Sequence, residues 1–415
     1  MPVTESNTTA TVLKGEWKIL MNDCEKYLED LPHENQPLIQ RVPRVLCKSE
    51  TNVKKLFTPE VIALGPYHHD NPDLKHLQNH KYLAAKQLIG TKTIDNFEKK
   101  VEDVIFEARQ CYKEKLEIDE DEFLTIMFFD ACFLLRFIDL YVQDKLQDLQ
   151  ISKNLHGFIV RDIFLLENQI PYVVLKALMN LTMKVDIETF IGRVMETKMQ
   201  TTVERKAEPI HLLALLRTML LGKAADNPGV LVKGDWQLFR SVTEMKDVGI
   251  ELKKSDTFCL RDIIFKEGFI HSYLSLPRIT IDDSFQSRFM NMIAMEMCPD
   301  SRLEHGIQSY VWFLDCLIHS ADDVKELRSA DVLFNALGTD EQVAKLCNEM
   351  SEDLAPDLHE YHEVLYGLKR HKKNKFLVRF YNTHFSSSWT TISFIAAAFL
   401  LILTVLQTAF AIFPR

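Results

Sequence analysis

The C-terminal segment is the feature that most constrains what this chain can fold into. Residues 389–413 read WTTISFIAAAFLLILTVLQTAFAIF, 25 residues without a charged side chain. A helix rises about 1.5 Å per residue, so this segment would measure about 37 Å, against about 30 Å for the hydrocarbon core of a bilayer. Soluble helices of this length carry a polar face. The sequence therefore predicts one transmembrane helix over residues 389–413 in a single-pass membrane protein.

Charge is distributed unevenly ahead of this segment. The 415-residue chain has a net charge of −10, and no acidic residue follows Glu363. Residues 1–363 carry a net charge of −17 and residues 364–415 a net charge of +7. The basic cluster before the apolar segment consists of Lys369, Arg370, Lys372, Lys373, Lys375 and Arg379. By the positive-inside rule, we expect the N-terminal bulk to face the cytosol at the plasma membrane or an endomembrane.

Charge and motifs also bear on the class of activity. The acidic bulk argues against nucleic-acid binding driven by electrostatics. The sequence contains no glycine-rich phosphate loop, nucleophile elbow or kinase motif. We therefore predict no catalytic residues, no cofactor and no metal, and we interpret the chain as a recognition or signalling module that binds a protein partner. Its oligomeric state stays open.

The pattern along the chain predicts a mainly α-helical protein. Residues 1–39 are polar and weakly patterned, whereas residues 40–385 repeat apolar positions with a helical period and form one predicted multi-helix domain. Residues 123–142 are apolar but contain three charged side chains, which favours a buried core helix over a second membrane span. Between residues 250 and 281, three short apolar runs separated by glycine and proline predict a small antiparallel β element.

A predicted loop carries the first candidate site, formed by His68, His69 and Asp70 after the turn residues Gly65 and Pro66. Two imidazoles and a carboxylate have the chemistry to bind a metal ion or to act as acid and base. An enzyme with an unfamiliar active site around these three residues is the alternative to the recognition module. A loop fixed by hydrogen bonds is the simpler interpretation.

Polar residues interrupt an otherwise apolar stretch to form the second candidate site. These residues are Asp162, Glu167, Asn168 and Gln169, followed by Pro171. If buried, each polar group must find a partner, such as an open helix-end amide or a nearby arginine. We interpret this polar junction as structural, with a ligand site as the alternative.

The chain carries a series of distinctive segments in order, which include Val42–Arg44, Ile62–His69, Asp162–Pro171, Leu276–Asp283, Ser309–Cys316 and Trp389–Gln407. This series resembles the motifs of the plant family known as domain of unknown function 247, or uncharacterised protein family 0481. The segment at Asp162 fits the family signature D-x-x-L-L-E-N-Q-[IL]-P. The resemblance implies a single-pass plant membrane protein, and some relatives are implicated as pollen-side determinants of grass self-incompatibility. It supplies no agreed catalytic residues.

Overall fold

The computed structural model describes residues 38–182, 185–196, 208–223, 241–268, 272–299, 301, 303–374 and 388–412. The predicted polar segment 1–39 therefore lies outside the described residues except at its end. The protein is mainly helical, as predicted. Its α-helices are α1 Glu50–Phe57, α2 Gln78–Ile89, α3 Ile94–Glu102, α4 Ile105–Gln110, α5 Glu120–Val142, α6 His156–Ile163, α7 Tyr172–Met179, α8 Ile187–Val194, α9 Leu212–Leu221, α10 Val242–Asp247, α11 Phe285–Met297, α12 Gly306–Leu317, α13 Ala321–Ser329, α14 Asp340–Met350, α15 His362–Asn374 and α16 Ser388–Ile412.

Local sequence signals explain where several helices begin and end. Helix α2 ends at Gly90, whose φ of +62° suits a residue without a Cβ. Helices α13 and α14 each begin with a capping box, in which the N-cap hydroxyl and the N3 side chain satisfy each other's backbone N–H. The cap residues are Ser320 and Thr339.

The centre of the core is α5, a 23-residue helix that is apolar on nearly every side. It packs against α2, α3, α7 and α8, and it buries Phe123, Phe133 and Phe137 completely. Full burial of an aromatic side chain contributes about 1.5–3 kcal/mol. The prediction of a buried core helix over residues 123–142 is confirmed.

The strands correct the predicted β element. The strands are β1 Ile250–Lys254, β2 Ile264–Lys266, β3 Ser272–Leu276, β4 Ile279–Ile281 and β5 Leu333–Asn335. Strand β3 is parallel to β1 and antiparallel to β2, while β4 leaves this sheet and pairs in parallel with β5. The prediction of one antiparallel element over residues 250–281 is therefore wrong, because apolar periodicity locates strands but does not identify their partners.

The C-terminal helix corrects the membrane prediction. Helix α16 covers residues 388–412, and side chains are described for its residues 392–408. Within the described ranges, no helix combines the length and the apolar character that crossing a bilayer requires. The prediction of a transmembrane helix over residues 389–413 is wrong on this finding.

Candidate functional site

Asp162 connects the end of α6 to a loop that lies about 100 residues earlier in the chain. Its side chain is fully buried, and Oδ2 accepts hydrogen bonds from the backbone N–H groups of Glu60, Val61 and Ile62 at 3.0, 2.8 and 3.1 Å. Burial raises the pKa of Asp162 to about 6, although the three backbone donors favour the charged form. One carboxylate therefore fixes three consecutive residues of the loop.

Asn168 and Gln169 continue this attachment. The side-chain oxygen of Asn168 accepts from the N–H of Leu64 at 2.7 Å, and its amide nitrogen donates to the carbonyl of Ile62 at 3.0 Å. The amide nitrogen of Gln169 donates to two carbonyls of its own segment, and its oxygen accepts from the N–H of Leu213 at 3.1 Å. Both side chains are buried, and both amide groups have partners on each side.

A buried ion pair also holds this loop. The ammonium group of Lys81 lies 2.5 Å from the carboxylate of Asp130, and it donates to the carbonyl of Ala63 at 2.7 Å. Asp130 also accepts from the N–H of Gly65 at 2.9 Å. The sequence gives no signal that links Lys81 with Asp130, since they lie on separate helices, α2 and α5, 49 residues apart.

Glu167 joins the polar junction to the start of the described chain. Its carboxylate accepts from the N–H of Val42 at 2.8 Å and from the guanidinium of Arg41 at 2.8 Å. The guanidinium of Arg41 also lies over the ring of Tyr67, 4.6 Å from its centroid. Pro171, the last residue of the predicted junction, directly precedes α7 and is its N-cap.

The structure separates the three residues of the predicted loop site into two groups. His68 Nε2 lies 3.7 Å from the Glu167 carboxylate, and burial, assisted by the charge of Arg41, lowers the pKa of His68 to about 4. His69 and Asp70 lie instead beside Glu122. His68 is therefore a neutral imidazole at neutral pH, and it belongs to the polar junction.

The second group brings together three potential metal ligands. His69 Nε2 lies 4.0 Å from Glu122 Oε1, and one ligand atom from each of His69, Asp70 and Glu122 lies within 4.8 Å of the others. Glu122 stands in the first turn of α5, where the N-cap Asp119 accepts from its backbone N–H at 2.7 Å. Glu122 has no distinguishing signal in the sequence, because acidic residues are common in a first helical turn.

The basic cluster lies only partly within the described residues. Lys369 is half-buried on α15, and Arg370 is exposed and binds the carboxylate of Glu267 at 2.7 Å. The side chains of Lys372, Lys373, Lys375 and Arg379 lie outside the described residues.

An open groove of about 430 Å³ lies between the beginning of α13 and one face of α14. We call it the acidic groove, because three carboxylates and one lysine are among its lining residues. These residues are His319, Ser320, Ala321, Glu341, Ala344, Lys345, Asn348, Glu349 and Glu352. No motif in the sequence analysis pointed to this groove.

These observations define a class: a mainly helical domain in which a polar signature segment holds a loop from elsewhere in the chain. Comparison with known proteins identifies the family. The chain matches the family DUF247, described as "Plant protein of unknown function", over residues 39–403, and it belongs to that family. The predicted resemblance is therefore confirmed.

Two relatives from Arabidopsis thaliana support this assignment. One UPF0481 protein is 26% identical over 404 residues, covering 86% of this chain and 83% of the relative. A second UPF0481 protein is 30% identical over 141 residues, covering 33% of this chain and 26% of that relative. No solved structure matches the chain.

Proposed function

We propose that this member of the plant family is a non-enzymatic recognition module that binds a basic segment of a partner protein in the acidic groove. The observation that carries the proposal is the shape and charge of the groove. Its volume of about 430 Å³ lies within the range of about 300–1,000 Å³ that is usual for binding clefts.

The residues of α14 that line the groove follow a helical period. Glu341, Ala344, Lys345, Asn348 and Glu349 occupy positions i, i+3, i+4, i+7 and i+8, so they share one face of the helix. Alanine leaves room at the centre of this face, and Asn348 ties it to the other wall by donating to the carbonyl of His319 at 3.4 Å. The face therefore presents carboxylates at both ends, with Ala344 and Lys345 between them.

The three carboxylates differ in their existing ion pairs. Glu352 lies 3.0 Å from the ammonium of Lys48, and Glu349 lies 3.7 Å from that of Lys345. Glu341 is exposed in the first turn of α14. At Glu349 and Glu352, a basic ligand must displace the paired lysine or share the carboxylate with it. We therefore expect Glu341 to contribute most to binding.

The spacing of Glu341 and Glu349 suggests the form of the ligand. Eight residues of helix separate them by about 12 Å along the axis. In an extended peptide, positions i and i+4 are separated by about 13 Å, at about 3.3 Å per residue. A peptide with arginines four residues apart therefore matches both carboxylates, and each arginine can bind its carboxylate in a bidentate manner.

This ligand geometry can be tested with two labelled peptides. We expect the purified full-length chain to bind Ala-Arg-Ala-Ala-Ala-Arg-Ala more tightly than an isomer with adjacent arginines, as measured by fluorescence anisotropy. Exposed ion pairs contribute about 0.2–1 kcal/mol each, so the double substitution of Glu341→Gln and Glu349→Gln should weaken binding by roughly tenfold. Added salt should weaken the wild-type complex as well.

A matched control separates the groove from the overall negative charge of the chain. Glu98 and Glu102 are exposed on α3, and their replacement by glutamine removes the same charge. We expect this control to bind the peptide within a factor of two of wild type. If both double variants weaken binding equally, or if both peptides bind equally well, the groove is not the binding site.

The identity of the natural partner is a separate part of the proposal. Because some relatives are implicated in grass self-incompatibility, a stigma protein with a basic segment is one partner to test. Expression restricted to pollen, together with binding to the stigma protein of one allele but not another, would support this role. Expression throughout the plant would argue against it.

A further inference from the structure

The group formed by His69, Asp70 and Glu122 has a geometry that goes beyond peptide recognition. Its members come from two elements far apart in the chain: a turn that contains His69 and Asp70, and the first turn of α5 that contains Glu122. An imidazole nitrogen and two carboxylate oxygens lie within 4.8 Å of one another. We propose that these three side chains bind a divalent transition-metal ion of the zinc type.

The distances are close to those that a bound ion requires. Zinc binds nitrogen and oxygen ligands at about 2.0–2.2 Å, so two ligands of a tetrahedral ion lie roughly 3.3 Å apart. His69 Nε2 and Glu122 Oε1 lie 4.0 Å apart. Closing the difference takes less than 1 Å of side-chain movement for this pair and at most about 1.5 Å for the pairs that include Asp70, whose ligand atom lies within 4.8 Å of the other two. Because Asp70 and Glu122 are exposed, their rotamers are free to adjust at little cost.

The backbone on both sides of the site is already fixed. The turn is closed by hydrogen bonds from the N–H of His69 to Pro66 and from the N–H of Asn71 to His68. Just before it, Gly65 is held by the buried pair of Lys81 and Asp130. The opposite ligand stands on the longest helix of the core. The ion would therefore bridge two ordered elements without having to order either.

The ligand set selects the class of ion. An imidazole nitrogen favours zinc and its neighbours in the first transition series, whereas calcium and magnesium prefer oxygen ligands alone. Three protein ligands also leave a coordination position for water or for a ligand atom from a partner. The site is independent of the acidic groove, which is formed by other helices.

Calorimetric titration of the full-length chain with Zn²⁺, and separately with Mg²⁺, tests this inference. We expect Zn²⁺ to bind with a stoichiometry that falls by one site in His69→Gln, and we expect Mg²⁺ binding to be at least tenfold weaker. NMR of the imidazole groups should show one histidine whose signals shift with the first equivalent of Zn²⁺ and are absent from the His69→Gln spectrum. Glu122→Gln should weaken binding at this site at least tenfold.

Two control variants account for other zinc-binding groups in a chain with 14 histidines. His76→Gln removes an exposed histidine seven residues away, and Glu120→Gln removes an exposed carboxylate from the same helical turn as Glu122. Both controls should retain the site. Unchanged stoichiometry in His69→Gln, or equal losses in Glu120→Gln and Glu122→Gln, would overturn the inference.

Discussion

Replacement of Asp162 by alanine should detach the loop at residues 60–62 from the core. The carboxylate is fully buried, and it is the acceptor for three backbone N–H groups of this loop. Each donor that is left unsatisfied in a buried site costs about 1–3 kcal/mol, and the loss is reduced where water enters the space of the missing side chain. We therefore expect Asp162→Ala to lower the free energy of unfolding by about 3–5 kcal/mol, a large part of the usual 5–15 kcal/mol.

The variant Asp162→Asn, which has nearly the same shape, should lose less free energy of unfolding than Asp162→Ala. Asp162→Asn keeps an oxygen that can occupy the Oδ2 position and accept from the same N–H groups, but it places an NH2 donor where Oδ1 accepts from the N–H of Glu60 at 3.2 Å. We expect it to cost about 1–2 kcal/mol near pH 4, where Asp162 is protonated, and less at neutral pH. Asp256 is exposed in a turn, so Asp256→Ala should change the free energy by less than about 0.5 kcal/mol.

Urea unfolding followed by circular dichroism gives the global free energies, and amide hydrogen exchange gives the local effect. In Asp162→Ala, the amides of Glu60, Val61 and Ile62 should exchange faster, while amides within α5 retain their protection. The reasoning is refuted if these three amides keep their wild-type protection, because the carboxylate would then not be what holds them.

Two further predictions concern the same junction. Since the pKa of Asp162 is raised to about 6 on folding, from an ordinary value near 4, its stabilising contribution is present below about pH 4 and is lost as the pH rises through 6. In urea titrations, the free energy of unfolding of wild type should therefore fall relative to that of Asp162→Asn between pH 4 and 7, by at most about 3 kcal/mol. If the difference between the two free energies is the same at every pH, this prediction is contradicted. Gly65→Ala should cost about 2–4 kcal/mol in the same assay, because φ is +75° and a Cβ would lie 2.6 Å from the carbonyl oxygen of Gln169. Gly157→Ala, whose Cβ meets nothing within 4 Å, is the control and should be nearly neutral.

Much of the helical framework could be predicted, because its signals are local. Gly90 ends α2, and the capping boxes at Ser320 and Thr339 begin α13 and α14; each signal consists of a few neighbouring residues. The charged residues within 123–142 also indicated a core helix rather than a membrane span. In the structure, Asp130 forms an ion pair with Lys81, and Arg136 forms one with Asp139 at 2.7 Å. The sequence did not show which strands pair with each other. Strand β4, for example, pairs with β5, which lies about 50 residues further along the chain.

For the candidate sites as well, the sequence did not show which residues contact each other. Once buried, the side chains of Asp162, Asn168 and Gln169 need hydrogen-bond partners. The local sequence did not indicate that the backbone of residues 60–64 would supply many of them. His68, His69 and Asp70 are adjacent in sequence, and this adjacency suggested one site. A turn instead directs His68 towards Glu167 and places the other two residues beside Glu122.

Two of the segments that carry the family resemblance, Ile62–His69 and Asp162–Pro171, are therefore two halves of one structural unit. The backbone of residues 60–65 supplies donors and acceptors, and the signature segment, with Asp130 and Lys81, supplies side chains that satisfy them. A buried polar group whose hydrogen-bonding capacity is filled by the backbone can bind a ligand only by giving up such bonds, and losing all of them would cost about as much as Asp162→Ala. This cost directs the search for function away from the signature, towards exposed groups whose side chains can rearrange: the carboxylates of the acidic groove and the ligand group around His69.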